Sequence, residues 1–246
     1  MSRLAIIGGS GFATMRGLEV LDYQQPDTPY GPASAPVMRG LLGGTELFFL
    51  PRHGTGHSIP PHRIDYRANL WALKACGVER VVGLTAVGGI GGAFGPQVLA
   101  VPDQIIDYTY GRAHSFSDGD QGEVLHIDFT RPYCEDLRQA LLRAARDCDL
   151  AVEDGGTYGA TQGPRLETAA EIMRLERDGC DLVGMTGMPE AALARELRLC
   201  YACFAFVVNC AAGKARGEIR MEAIGANITA CSVRIERILT ALVGAD

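Results

Sequence analysis

Apolar runs that break off in glycine or in one polar residue constrain this chain most. Leu4 to Gly8 runs into Gly9-Ser10-Gly11, and Arg80 to Val87 runs into Gly88-Gly89-Ile90-Gly91-Gly92. Leu199 to Val208 stops at Asn209. Each reads as a buried strand with an open exit, and Gly156 to Thr161 is strand-like too. Between them lie stretches of helical spacing. Ile64, Ala68, Trp71 and Ala75 form one, and Leu137, Leu141 and Ala145 form another, opened by Pro132. Pro suits a first helical position. Glu167 to Arg177, Pro189 to Glu196 and Ile219 to Val243 complete the helices. Strands alternating with helices mean an α/β domain. Val37–Leu42 and Thr45–Leu50 flank Gly43-Gly44, which is a hairpin signal. The predicted sheet is therefore mixed: one domain over residues 1–246, with a central twisted sheet flanked by helices. No Pro/Ser/Gly linker divides the 246 residues.

A net charge of -6 argues against broad contact with DNA phosphates or an anionic membrane surface. The apolar run within the first twelve residues is too short for a signal peptide, and no stretch reaches membrane-spanning length. The eight Cys sit mostly among apolar residues, as reduced core cysteines do. Cys200 and Cys203 make a lone C-x-x-C with no second pair, a poor metal or redox signal. These features imply a soluble cytoplasmic protein with no nucleic-acid or membrane partner.

Gly8-Gly9-Ser10-Gly11 is neither G-x-G-x-x-G nor a triphosphate-binding loop. It suits an isolated phosphate, held by backbone N–H groups and Ser10; a plain tight turn is the alternative. Arg52-His53-Gly54-Thr55-Gly56-His57 sets a guanidinium fork, which matches phosphate geometry, beside two imidazoles. A metal site or a solvated loop are the alternatives, although no acid or Cys shares the loop. Asn209 marks where an apolar wall meets something polar, or else turns the chain after a strand.

Together these pieces resemble the trimeric purine nucleoside phosphorylase and methylthioadenosine phosphorylase family. The resemblance runs from Ile6 to the C-terminal helix. It is sharpest over Leu50 to Ile90, with Arg52-His53-Gly54, His57, Asn69, Trp71 and Thr85-Ala86-Val87-Gly88-Gly89-Ile90. Gly163 to Thr168 and Gly184 to Glu190 are two further family-like blocks. The resemblance implies that Ser10, Arg52, His53, Thr85, Ala86 and Thr186 hold phosphate. It sets Met185 against ribose near His57, with Gly88 and Ala211 in the ligand wall and Glu167 and Asn209 toward the purine. His126 would reach the 5′ end of the ligand in a neighbouring subunit, so that the site depends on a homotrimer. The chemistry implied is phosphorolysis by a pentosyltransferase, with Asn209, His53 and Arg52 as catalytic groups. Inorganic phosphate is co-substrate, and no metal or cofactor is needed.

Base choice can be argued from hydrogens. A 6-oxopurine carries a hydrogen on N1 that the Glu167 carboxylate accepts, whereas a 6-aminopurine presents a lone pair there. Such a mismatch can cost a factor of roughly 10⁴. Adenine-type relatives usually carry Asp at the positions of Asn209 and Ala211. Leu166 departs from the family, which often places an aromatic there. Glu167 read as a helix N-terminal carboxylate is the alternative. Met221 and Ile224 lie one helical turn apart and share a face. The resemblance implies that this helix covers the 5′ position, where they would offer an apolar pocket for a methylthio group; the alternative is that both belong to the core. The expected substrate is S-methyl-5′-thioinosine, giving hypoxanthine and 5-methylthioribose 1-phosphate in nucleoside salvage. The rivals are an inosine/guanosine phosphorylase, a methylthioadenosine phosphorylase, a nucleoside hydrolase and a non-catalytic nucleoside-binding protein.

Overall fold

The computed structural model describes residues 2–117, 119 and 124–245, and among them the chain forms eleven strands and five α-helices. At the centre is β5 (Arg80–Gly89). Its first half is paired in parallel with β1 (Leu4–Gly8) on one side and β11 (Cys200–Cys210) on the other. From β1 the sheet continues through β4 (Thr45–Pro51) and β3 (Val37–Leu42) to the edge strand β2 (Leu18–Gln24). Gly43 and Gly44 turn the β3–β4 hairpin with φ of 59° and 85°, as a two-residue turn of this hand requires.

Where β1 ends, β5 changes neighbour. Gly88 and Gly89 pair antiparallel with β10 (Leu182–Gly184). β10 lies parallel to β9 (Thr157–Ala160), and β9 to β7 (Gln104–Asp107). On the other branch, β11 pairs with β6 (Leu99–Val101), and β6 with β8 (Glu153–Asp154). The sheet is mixed, as the hairpin implied. It forks around β5, and open α/β sheets hold ligands at such crevices beyond the strand ends.

Strand alternation divides the core in two. Ala5 and Ile7 face one cluster, with α1 (Tyr66–Ala75) and α4 (Gly187–Glu196). Leu4 and Ile6 face the other, with α2 (Glu135–Asp147) and α5 (Met221–Gly244). α3 (Ala169–Arg177) packs Ile172 and Leu175 on a smaller cluster beside the fork.

Three local expectations are corrected. Pro132 does not open α2, which starts at Glu135, because the chain is still extended at Cys134 (φ -75°, ψ 112°), whose N–H donates to the Tyr201 carbonyl at 2.8 Å. Glu167 is outside α3, because Thr168 caps that helix in a reciprocal box with Glu171. The cysteines are not all reduced: Cys134 and Cys200 form a disulfide that ties the start of α2 to the start of β11. The other six are free thiols.

Candidate active site

A cavity of about 610 Å³ opens at the fork. Its lining contains every site residue expected from the sequence except His126, which is exposed and outside it.

One end is built around Arg52. This side chain is 1 % exposed, yet it is polar throughout its head. Its Nε and Nη2 donate to Glu190 Oε2 and Oε1 at 2.7 and 2.8 Å, and Nη1 donates to the Leu84 carbonyl at 2.8 Å. The Tyr201 hydroxyl donates to Glu190 Oε1 at 2.8 Å. Burial opposes the charge on Arg52, but the Glu190 carboxylate outweighs it and keeps the guanidinium firmly protonated. Three of its five N–H groups are thus committed, leaving one on each Nη. Gly9 makes room for this approach: a Cβ there would lie 2.5 Å from the Leu84 oxygen and 3.0 Å from Arg52 Nη1. Gly9 also starts a turn closed by the Phe12 N–H, so the turn reading holds while Ser10 lines the cavity.

His53 stands beside Arg52. Its Nδ1 lies 2.9 Å from the Ile59 carbonyl, which can only accept, so the proton sits on Nδ1. Burial, then the charge of Arg52, lowers its pKa to about 4. The ring is therefore neutral at pH 7, and Nε2 offers a lone pair. His57, at φ 58°, tilts its ring over His53 with centroids 4.2 Å apart. Thr85 is buried in β5 and accepts from the Cys203 thiol at 3.8 Å. Burial pushes that thiol up to about 12, so it stays a donor. The Thr85 hydroxyl proton is then free to point elsewhere. Ala86, Met185 and Thr186 complete this part of the lining.

The other end carries the carboxylate and the carboxamide. Thr161 Oγ1 donates to Glu167 Oε1 at 2.6 Å, leaving the second carboxylate oxygen open. The β5–β11 register shifts between Val207 and Asn209, so that Asn209 stands opposite Gly88. Bulges of this kind redirect side chains beside ligand sites. The Val208 carbonyl accepts from Asn227 of α5 at 2.8 Å. Asn209 Nδ2 donates to the Cys210 carbonyl at 2.7 Å, which leaves one N–H and the oxygen of the amide. Gly88 and Ala211 are buried behind it, and Leu166 sits on the lip, 41 % exposed.

Met221 is not a core residue, whereas Ile224 packs against the second core cluster as well as facing the cavity. Met221 is 69 % exposed, Ile224 is half-buried, and both line the cavity with Ile219 and Ile228. A large apolar side chain at the mouth of a cavity calls for an apolar ligand group or another chain to cover it.

Glu190, Thr161 and Tyr201 have roles that local sequence could not give. Glu190 meets Arg52 across 138 residues, and Thr161 reaches Glu167 only because β9 ends beside it.

The model of the phosphorylase superfamily matches residues 3–244 of the chain. A Xylella fastidiosa protein named probable S-methyl-5′-thioinosine phosphorylase is 55% identical over 226 residues, 92% of this chain and 95% of its own length. A probable 6-oxopurine nucleoside phosphorylase of Dictyoglomus turgidum is 48% identical over 211 residues, 86% of this chain and 79% of its own. Among solved structures, the methylthioadenosine phosphorylase of Schistosoma mansoni in complex with adenine superposes with a TM-score of 0.94 at 32% identity. That superposition covers 100% of this chain and 93% of the other.

Proposed function

The chain belongs to the phosphorylase superfamily, and from that premise we propose that it cleaves S-methyl-5′-thioinosine with inorganic phosphate. The products are hypoxanthine and 5-methylthioribose 1-phosphate. One observation carries the base assignment: a carboxylate fixed by Thr161 shares the cavity with an Asn amide, and the position two residues on is Ala211 rather than an acid. Glu167 accepts the N1 hydrogen of a 6-oxopurine. The relatives named for 6-oxopurine and methylthioinosine phosphorolysis support this choice.

The reaction is a displacement at the anomeric carbon. A phosphate oxygen forms the new C1′–O bond as the C1′–N9 bond breaks, and the electron pair of that bond goes into the purine. Ser10, Thr85, Thr186 and the two remaining Arg52 N–H groups donate to phosphate. Neutral His53 accepts a phosphate P–O–H through Nε2. The free N–H of Asn209 donates toward N7, where charge builds as the base leaves. Donors fixed in advance at a developing charge are usually the largest catalytic contribution, and holding phosphate in line supplies proximity. Met185 lies against the sugar, and Met221 with Ile224 receives the 5′-methylthio group.

The acting species is a homotrimer in which His126 of one copy approaches the ligand of the next. Exposed apolar residues near it, Val124 at 67 % and Leu125 at 50 %, support a covered surface there. No helix of the described residues is long and apolar enough to cross a membrane. We assign the protein to the cytoplasm, on the six free thiols among its eight cysteines. Hypoxanthine release measured with and without phosphate tests the reaction class. Release that needs no phosphate would make the protein a hydrolase, and binding without release would leave it a nucleoside-binding protein.

A further inference from the structure

Beyond Ala160 and Gly184 the parallel strands β9 and β10 part. The first bond beyond the strand ends runs from the Thr161 N–H to the Gly184 carbonyl at 2.8 Å, and the cavity begins in the gap that follows. Four carbonyls beyond these strand ends are taken by one side chain. Arg112 donates from Nη1 to the Met185 and Met188 carbonyls at 2.8 and 2.6 Å. From Nη2 it donates to the Thr161 and Gln162 carbonyls at 3.2 and 2.8 Å. Its Nε donates to Gln162 Oε1 at 3.1 Å, and its guanidinium stands 5.5 Å from the Tyr66 ring centre.

All of these hydrogen-bond acceptors are neutral. Charge pairing therefore does not explain the residue; the shape of a guanidinium does. A planar fork of five donors spans two diverging backbones, and a lysine ammonium with three donors cannot. The two backbones are the two walls of the cavity. Thr161 holds Glu167 on one, and Met185 and Thr186 stand on the other.

We infer that Arg112 is a positioning residue that locks the carboxylate wall to the Met185–Thr186 wall and so sets the span a ligand must fill. Which part of a nucleoside meets each wall rests on the proposed function; the lock itself does not. Misplacement by about 1 Å can lower a rate roughly 10²-fold, and a gap between walls that each grip part of one substrate is such a misplacement.

Hydrogen–deuterium exchange on the ligand-free full chain tests the lock directly. In Arg112→Lys and Arg112→Ala, amides of residues 161–163 and 185–188 should exchange about tenfold faster, with β1 and β4 unchanged. Faster exchange in one wall only, or in neither, overturns the inference. Should Arg112→Ala fail to fold, the Arg112→Lys comparison decides alone. Kinetics give the second arm. kcat/KM for S-methyl-5′-thioinosine should fall about 10²-fold in Arg112→Ala, and millimolar guanidinium, but not methylammonium, should restore at least about tenfold of it. Loss that guanidinium does not restore, or equal rescue by methylammonium, contradicts the lock. If the unaltered protein turns over no nucleoside, the proposed function fails, while the exchange result still judges Arg112.

Discussion

Replacing Glu167 by Gln keeps the shape of the side chain and changes only what it offers the purine. The Thr161 hydroxyl, 2.6 Å from Oε1, decides how the new amide sits. A carboxamide nitrogen cannot accept that proton, and the alternative acceptor, the Gly184 carbonyl, lies farther off at 3.3 Å, so the oxygen turns to Thr161 and the NH₂ turns into the cavity. A 6-oxopurine then faces N–H against N–H. It loses a hydrogen bond to a charged acceptor, a net contribution of about 1.5–3 kcal/mol. A 6-aminopurine instead gains a donor opposite its N1 lone pair, a net contribution of about 1 kcal/mol. Glu167 is only half-buried, so water relieves part of the mismatch and the low end of these figures applies. The ratio of kcat/KM for methylthioinosine over methylthioadenosine should therefore fall by about 2.5 kcal/mol, or roughly 60-fold. Adding Thr161→Val frees the amide to flip and should return part of the lost 6-oxopurine activity. A ratio that moves less than about threefold in Glu167→Gln would refute the assignment of Glu167 to N1. An effect of Glu167→Gln that Thr161→Val leaves unaltered would refute the orienting role of Thr161.

Met221→His should weaken the preference for methylthio over hydroxyl at the 5′ position by about tenfold, the scale of one group in an apolar pocket; an unchanged inosine/methylthioinosine ratio removes Met221 from that pocket. His53 has a folded pKa of about 4 against an ordinary 6.5, so its stabilising contribution is complete above pH 6.5 and is lost as pH falls toward 4. Denaturant titrations should show the unaltered protein losing about 3 kcal/mol more than His53→Asn between pH 7 and 4; parallel losses would mean that the ring is not held neutral. Cys134→Ser opens a loop with a sequence separation of 66 and should lower stability by about 4 kcal/mol and the melting temperature by roughly 10 °C. A shift under about 2 °C would show that the bridge does not constrain the chain.

The parts of this fold legible in the sequence are those with strong local periodicity. β1, β3, β4, β5, β9 and β11 are apolar or turn-bounded runs, and all five helices show a buried stripe or an end signal. β2 escaped because neither of its faces is consistently buried, so no alternation marks it. β6, β8 and β10 are two or three residues long, too short for any period to register. Ser10, Arg52 and Asn209 were legible because each follows an apolar run, whereas Thr85, inside β5, and Glu167, ahead of α3, rested on the family resemblance. What organises those residues was not legible. Glu190, Arg112 and the Cys134–Cys200 bridge act between segments that the sheet brings together, and no spacing along the chain encodes such a meeting; Thr161 meets Glu167 across a loop that no periodicity marks. Cys203 looked like half of a C-x-x-C; its partner Cys200 is turned to Cys134, and Cys203 itself meets Thr85.

Competition among S-methyl-5′-thioinosine, S-methyl-5′-thioadenosine and inosine in the presence of phosphate tests the central claim most directly. Both halves of the pocket predict dominant, phosphate-dependent turnover of methylthioinosine. Equal turnover of inosine would contradict the 5′ assignment of Met221 and Ile224, and dominant turnover of methylthioadenosine would contradict the base recognition assigned to Glu167 and Asn209.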